Sequence, residues 1–559
     1  MAMNEILRKL TDCTACTTAL TPSSRSNSRA GSILGSVISF LNTSLIAFRQ
    51  YFFRSSDQLI GVQAQNFESK TSRNPYHYSN PLFLIRNLNY TQILYIILFL
   101  GLALRIYHLL RVPPLWHDEA ALVINVMNLS YEELLGPLSH HLPAPPGFLW
   151  AERLMVQCFG TQEIVFRILP CFLSCLSLIL FAKICFRLLR PRDALWAIAF
   201  FSFSDRLLFH AAEAKPYSID LACACLIFSS LLFDLPRSMR WQLILWTFIA
   251  PFLIWFSFPS CFLLSGLIAV FAETLRKEGR WDWWLSALII SATISFVFLV
   301  IGPVNCQRDA EMDSCWARHF PDYQHWWRIP DWSFFSTLEI FRYTLEPYGQ
   351  LLAGFALVGG VRFYRHSRTS LRRFLVLLFL VPWLAVYVAS LMKCYPYGGG
   401  RTMIFLTPAI ILLVTNGIGS LLAWCQQLRY KSTVRLVLLG LLIAPIFNSV
   451  CETIWPWWRP DPRSASQWIM ENYHAGDTIL VNHWEYEYYL RGYPVIGNYH
   501  GNAPVSSGKS RIWLAITGDE KDIPLHVNPY SNQRKIVETK RFTGCSVLLL
   551  EKKSSENGI

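Results

Sequence analysis

The sequence predicts an α-helical, multi-pass membrane protein with a small α/β domain at its C-terminal end. Three observations predict this. Of 559 residues, 53% are hydrophobic and only 16% charged, whereas a soluble globular chain carries about 25% charged residues. Mean hydropathy is +0.31. Apolar runs long enough to cross a bilayer recur until about Arg459, after which the composition turns polar. Together these exclude a soluble enzyme, a disordered scaffold and a disulfide-rich secreted module. On a soluble domain the net charge of +13 would point towards nucleic acid; here it is first read against the membrane.

A spanning helix needs about 20 mostly apolar residues. Candidate spans are 92–110, 163–186, 194–209, 218–233, 241–257, 259–272, 283–303, 348–361, 374–393, 403–425 and 436–452, about eleven in all. The shortest, 259–272, is parted from its predecessor only by Pro259 and Ser260. With the N-terminus inside, the inner connections hold sixteen Lys/Arg against five Asp/Glu, and the outer ones seven against thirteen. Basic residues favour the cytoplasmic side, so the positive charge reports topology, and no nucleic-acid partner is expected. Trp455, Trp457 and Trp458 after the last span suit an interfacial anchor.

Residues 1–85 are rich in Ser, Thr and Asn and read as a poorly ordered cytoplasmic extension, with a modest apolar stretch over 33–48. Cys13 and Cys16 form a CxxC without the second pair that a metal site needs. Residues 86–458 form the membrane domain. Residues 459–559 suffice for a small outer α/β domain, with a helix at 464–472, strands at 478–482 and 511–516, and a hairpin over 535–551. Cys306 and Cys315 share an outer loop, where a disulfide is permitted.

The chemistry gathers in the outer connections. The first opens Trp116-His117-Asp118-Glu119 directly after a span. Adjacent acids there suit a base acting beside the membrane; acids opening a helix also complement its dipole. An amphipathic stretch over 120–135 follows, then His140-His141-Leu142-Pro143-Ala144-Pro145-Pro146, whose prolines predict a fixed extended turn. The two His can be read as metal ligands with Asp118 or Glu119, or as ordinary surface residues. The second connection holds Glu213, Lys215 and Tyr217. Charges at a bilayer edge are costly unless paired or used, so they mark a site or an ion pair that closes the loop. The third reads Tyr395-Pro396-Tyr397-Gly398-Gly399-Gly400-Arg401. Its guanidinium suits a phosphate or snorkels to the interface.

In order and membrane placement these motifs resemble the GT-C superfamily of lipid-linked-sugar glycosyltransferases. They are most similar to the family 39-like bacterial relatives of protein mannosyltransferases and aminoarabinose transferases. The resemblance covers about 88–420. It rests on Trp116 to Ala120, Pro145-Pro146, Phe159-Gly160, Phe166-Arg167-Ile168, Glu213 to Ser218, and Gly400-Arg401 before the Pro408-containing span. The chain departs from the pattern at Ala144 and Gly147 around the prolines, and at Asp205-Arg206 in the third span.

The resemblance implies an inverting transferase at the outer face of the plasma (inner) membrane. It would move a sugar from a polyprenyl-phosphate donor to a lipid, glycan or protein acceptor. Asp118 maps onto the general base, with Glu119 beside it as a catalytic candidate. Glu213, Lys215, Tyr217, Arg401 and His141 are candidates for binding substrate. Glu119 and Glu213 either orient the acceptor or hold a divalent metal. A transporter or lipid flippase is the rival class, but transporters place charges near the midplane on broken helices within inverted repeats. Here the acids lie in loops and no repeat is evident.

Overall fold

The structure, a computed structural model, describes residues 90–553 apart from 233–237, 309–313, 367–368, 425–430, 456, 499–510, 520 and 522. The N-terminal extension, with Cys13 and Cys16, lies outside the described residues. Each apolar run forms helix: Tyr90–Leu110, Val165–Leu188, Pro191–Phe203, Tyr217–Leu232, Met239–Phe256, Ser260–Lys277, Trp283–Leu299, Gly349–His366, Thr369–Leu391, Thr407–Trp424 and Lys431–Ile454. Six helical segments in the described residues are long and apolar enough, by length and composition, to cross a membrane.

The run 194–209 is not one helix. It breaks at Ser204, whose Oγ accepts from Leu207 N (3.4 Å) and caps a short second helix, Asp205–Ala211. The break frees carbonyls at the end of Pro191–Phe203, and wholly buried Arg105 takes them. Its guanidinium donates to Phe201 O (3.0 Å), Ser202 O (3.1 Å) and Gly101 O (2.9 Å), and its Nε to Ser174 Oγ (3.0 Å). A helix end buried away from water needs such donors. Elsewhere the close approach of Gly349–His366 and Thr407–Trp424 requires glycine. A Cβ on Gly359 would lie 1.9 Å from Leu413 O, and one on Gly417 1.9 Å from Phe355 O. Small residues permit this spacing where lipid gives no hydrophobic drive between helices.

The proline-rich turn is shorter than the sequence suggests, because Pro146 itself opens the helix Pro146–Phe159. Proline lacks the amide that a first helical turn leaves unused, and its fixed φ fits that position. The amphipathic stretch is also divided, into the helix His117–Asn128 and a 3-10 turn, Glu133–Leu135. Cys306 and Cys315 are both free thiols.

Beyond Arg459 come the helix Pro462–Asn472 and five strands: β1 Thr478–Val481, β2 Val495–Gly497, β3 Arg511–Thr517, β4 Arg534–Phe542 and β5 Cys545–Lys552. Their order is β2-β1-β3-β5-β4, with β1 parallel to β2 and β3 and the β3–β5 and β5–β4 pairs antiparallel. Near-continuous apolar runs in β1, β3 and β5 reflect burial on both faces. Ala465 and Ile469 pack on one face against Trp513, Val547 and Leu549. Ile523 and Val527 pack on the other, against Ile512, Leu514 and Leu548. Edge strand β4 is mostly exposed and shifts register between Ile536 and Glu538, and its charges discourage further pairing. A short helix, Glu485–Tyr489, lies between β1 and β2.

Candidate active site

The loop after Tyr90–Leu110 runs through Pro113 and Pro114 into the helix His117–Asn128, whose cap residue is Trp116. No side chain caps that helix, so Asp118 and Glu119 are not capping groups. They sit in its first turn, where the dipole favours negative charge, and they diverge.

Asp118 faces Arg401, and the two form an ion pair. Arg401 opens a 3-10 turn, Arg401–Leu406, that runs into Thr407–Trp424. Its approach is fixed by Gly399, where a Cβ would lie 2.5 Å from Glu339 O. The guanidinium carbon lies 5.6 Å from the ring centres of both Trp116 and Tyr217, within reach for a cation–π contact. Trp116 Nε1 is buried and has no hydrogen-bond partner among the described residues. His117 Nε2 lies 3.7 Å from Asp118 Oδ1. Burial alone would raise the Asp118 carboxyl, but Lys215, then Arg401 and His117, hold it at about 2.

Lys215 sits in the turn before the helix Tyr217–Leu232, with its amide bonded to Glu213 O (2.8 Å). Its side chain is 2% exposed, and among the described residues it makes no hydrogen bond or ion pair. Burial lowers its ammonium to about 8, with Asp118 opposing and Arg401 reinforcing that fall. A buried cation without a direct partner is expensive, and an arriving anion would relieve the cost.

Glu119 is fully buried and its carboxylate is occupied. Arg167 Nε donates to Oε1 (3.0 Å) and Nη2 to Oε2 (2.8 Å). Arg459 Nη1 donates to Oε2 (2.9 Å), and Ala214 N to Oε1 (2.8 Å). Burial raises this carboxyl, but Arg167 and then Arg459 outweigh it and hold it below its usual value. Glu119 thus ties the Asp118 turn to the Lys215 turn through Ala214. Glu213 is equally buried, with Oε2 2.5 Å from His210 Nδ1, while His210 Nε2 lies 2.6 Å from the Tyr343 hydroxyl. His141 ends the 3-10 turn Ser139–His141, and its side chain lies outside the described residues. Its neighbour His140 reaches Glu487 Oε2 (3.3 Å) and stacks on Trp484.

The structure therefore gathers Asp118, Lys215, Tyr217 and Arg401, and turns Glu119 and Glu213 to other partners. Among the described residues no three His, Cys, Asp or Glu are grouped to hold a metal ion, and arginine already occupies both acids of the first turn. Arg459, His210, Tyr343 and Trp484 carry no local signal that marks them in the sequence, and Trp116 and Arg167 stand out there only as parts of motifs. Of the interfacial Trp set, Trp455 and Trp458 are exposed, while Trp457 donates to Asp205 Oδ1 (2.8 Å).

No family model matches the sequence, and no curated protein matches it. Among solved structures the chain is similar to ArnT from Cupriavidus metallidurans in the apo state. That match has 13% identity and a TM-score of 0.46, covering 81% of this chain and 97% of that one. The same protein bound to undecaprenyl phosphate matches at 12% identity and a TM-score of 0.44, covering 84% and 98%. An Archaeoglobus fulgidus oligosaccharyltransferase tethered with an acceptor peptide matches at 10% and 0.43, covering 83% and 74%.

Proposed function

We propose that this chain is a GT-C-like membrane glycosyltransferase that moves a sugar from a polyprenyl-phosphate donor to an acceptor hydroxyl. The observation that carries the reading is Lys215. It is a buried ammonium without a direct partner among the described residues, set beside the Asp118–Arg401 ion pair at the mouth of apolar helices. Two cations at that height suit the phosphate of a lipid whose tail stays among the helices. In this reading the acceptor oxygen attacks the anomeric carbon from the face opposite the phosphate. The bond from that carbon to the phosphate oxygen breaks, and the acceptor proton passes to the Asp118 carboxylate. The polyprenyl phosphate leaves as an anion, with its developing charge met by Lys215 and Arg401. Fixed cations in a water-poor site can contribute several kcal/mol to such a step.

The reading takes 86–458 as the catalytic membrane domain, 1–85 as a cytoplasmic extension and 459–559 as an outer domain. Catalysis would then occur at the extracytoplasmic face of the plasma membrane. The test is the full chain in lipid nanodiscs, supplied with undecaprenyl-phosphate-linked sugars carrying a radiolabel. Release of undecaprenyl phosphate by the wild type, lost in Asp118→Asn, is the expected result. A wild-type protein that does not bind undecaprenyl phosphate would overturn the reading.

A further inference from the structure

We infer that the segment after the last apolar helix, residues 459–489, is a clamp that positions Asp118. The inference rests on reading Asp118 as the base. The backbone leading to Asp118 begins under strain: Val112 is β-branched and has φ of +42°, a region such residues rarely occupy. Its carbonyl accepts from Arg463 Nη2 (2.8 Å). Three residues on, Leu115 N donates to the Tyr489 hydroxyl (2.8 Å), which itself donates to Glu163. Arg463 also pairs with Glu163. His117 O accepts from Trp484 Nε1 (2.5 Å). Glu119 accepts from Arg459, whose guanidinium also lies 4.7 Å from the Phe209 ring centre.

Residues 112, 115, 117 and 119 are therefore each held by a different side chain from beyond the last helix. Asp118 lies between the last two of these points and makes no bond to the clamp itself. A loop entered through a strained residue keeps its conformation only when its surroundings over-determine it. The short helix Glu485–Tyr489, inserted between β1 and β2, supplies Tyr489, and Trp484 directly precedes it. The sheet is thus the rigid base from which these two residues reach the loop. Arg459, Arg463, Trp484 and Tyr489 are positioning residues: they hold Glu119, Val112 O, His117 O and Leu115 N, and act on Asp118 through those groups.

The test uses the full chain in nanodiscs, with hydrogen exchange read by mass spectrometry and undecaprenyl phosphate as the binding probe. Tyr489→Phe removes the acceptor for Leu115 N, and Trp484→Phe removes the donor to His117 O while keeping an aromatic ring. Each should speed exchange in the 112–119 peptide, leave the strands β1, β3 and β5 protected, and leave undecaprenyl phosphate affinity unchanged. With a turned-over donor, kcat should fall about 10²-fold at unchanged donor KM, as expected for a base displaced by about 1 Å. Arg459→Leu should behave likewise, and Arg459→Lys should restore part of the rate. Unchanged exchange at 112–119 in both aromatic variants would overturn the clamp, as would donor affinity falling in step with kcat. Faster exchange at 112–119 in the variants, with neither they nor the wild type binding undecaprenyl phosphate, would sink the transferase reading and leave the clamp standing.

Discussion

Replacing Lys215 with Met removes the buried ammonium while keeping much of its side-chain volume. A phosphate seated there would form a charge-assisted hydrogen bond worth about 1.5–3 kcal/mol. Its loss corresponds to about a 10- to 150-fold fall in affinity. The wild type should also carry a pH signature. Burial brings Lys215 down to about 8, so its charged fraction in the free protein falls from about nine-tenths at pH 7 to about one-tenth at pH 9. A phosphate monoester has its second pKa near 6, so the ligand's own charge is almost constant across that range. Undecaprenyl phosphate should therefore bind the wild type about tenfold more weakly at pH 9 than at pH 7, and Lys215→Met should remove that slope. Binding to nanodisc-held protein, titrated at both values, measures each effect. A wild-type affinity indifferent to pH, or a Met variant that binds as tightly, would refute the assignment of Lys215 to the phosphate.

The same geometry sets three further outcomes. Asp118→Asn should cut turnover by about 10²–10⁴-fold while undecaprenyl phosphate still binds, which steady-state rates and a binding titration together check. Glu119→Gln should deprive the guanidiniums of Arg167 and Arg459 of the carboxylate they share and cost about 3–5 kcal/mol, read as a lowered thermal midpoint in detergent. Arg105→Met should strand the carbonyls of Phe201 and Ser202 at the broken helix and cost about 1–3 kcal/mol for each; an unshifted midpoint would remove Arg105 from that role.

The apolar helices were legible because about 20 residues without charge leave a membrane chain little alternative. The break at Ser204 was hidden by apolar residues on both sides of it, although Asp205-Arg206 stood out as a departure from the family pattern. Asp118, Lys215, Tyr217 and Arg401 were visible as charged or aromatic residues at helix ends, where solvation alone makes such groups conspicuous. The role of Glu119 was not visible, because adjacency to Asp118 suggested shared chemistry. Its partners Arg167 and Arg459 lie 48 and 340 residues away, and no local pattern encodes a contact at that range. In the C-terminal region the apolar runs of β1, β3 and β5 gave strands directly, while β2, three residues long, was too short to register. Nothing near Trp484 and Tyr489 in the sequence marks them, and only the fold sets them against the Asp118 loop.

The cations that suit a donor phosphate are also those that restrain the base. Burial would raise the Asp118 carboxyl, but Lys215 first, then Arg401 and His117, keep it at about 2. A carboxylate that weak is a poor proton acceptor near neutral pH, since a general base works best with a pKa near the operating value. An anionic phosphate between Lys215 and Arg401 would neutralise the two largest influences holding the carboxyl down and leave burial to act. Asp118 in the donor complex should then titrate above its value in the free protein. The sign is testable, because protonating the base as pH falls removes activity. The acid limb of kcat, which reports the complex, should lie at higher pH than the acid limb of kcat/KM, which reports the free protein. Rates taken at saturating and at limiting donor separate the two limbs. Coincident limbs would mean that donor binding does not free Asp118, and the ion pair with Arg401 would then be a fixed structural contact.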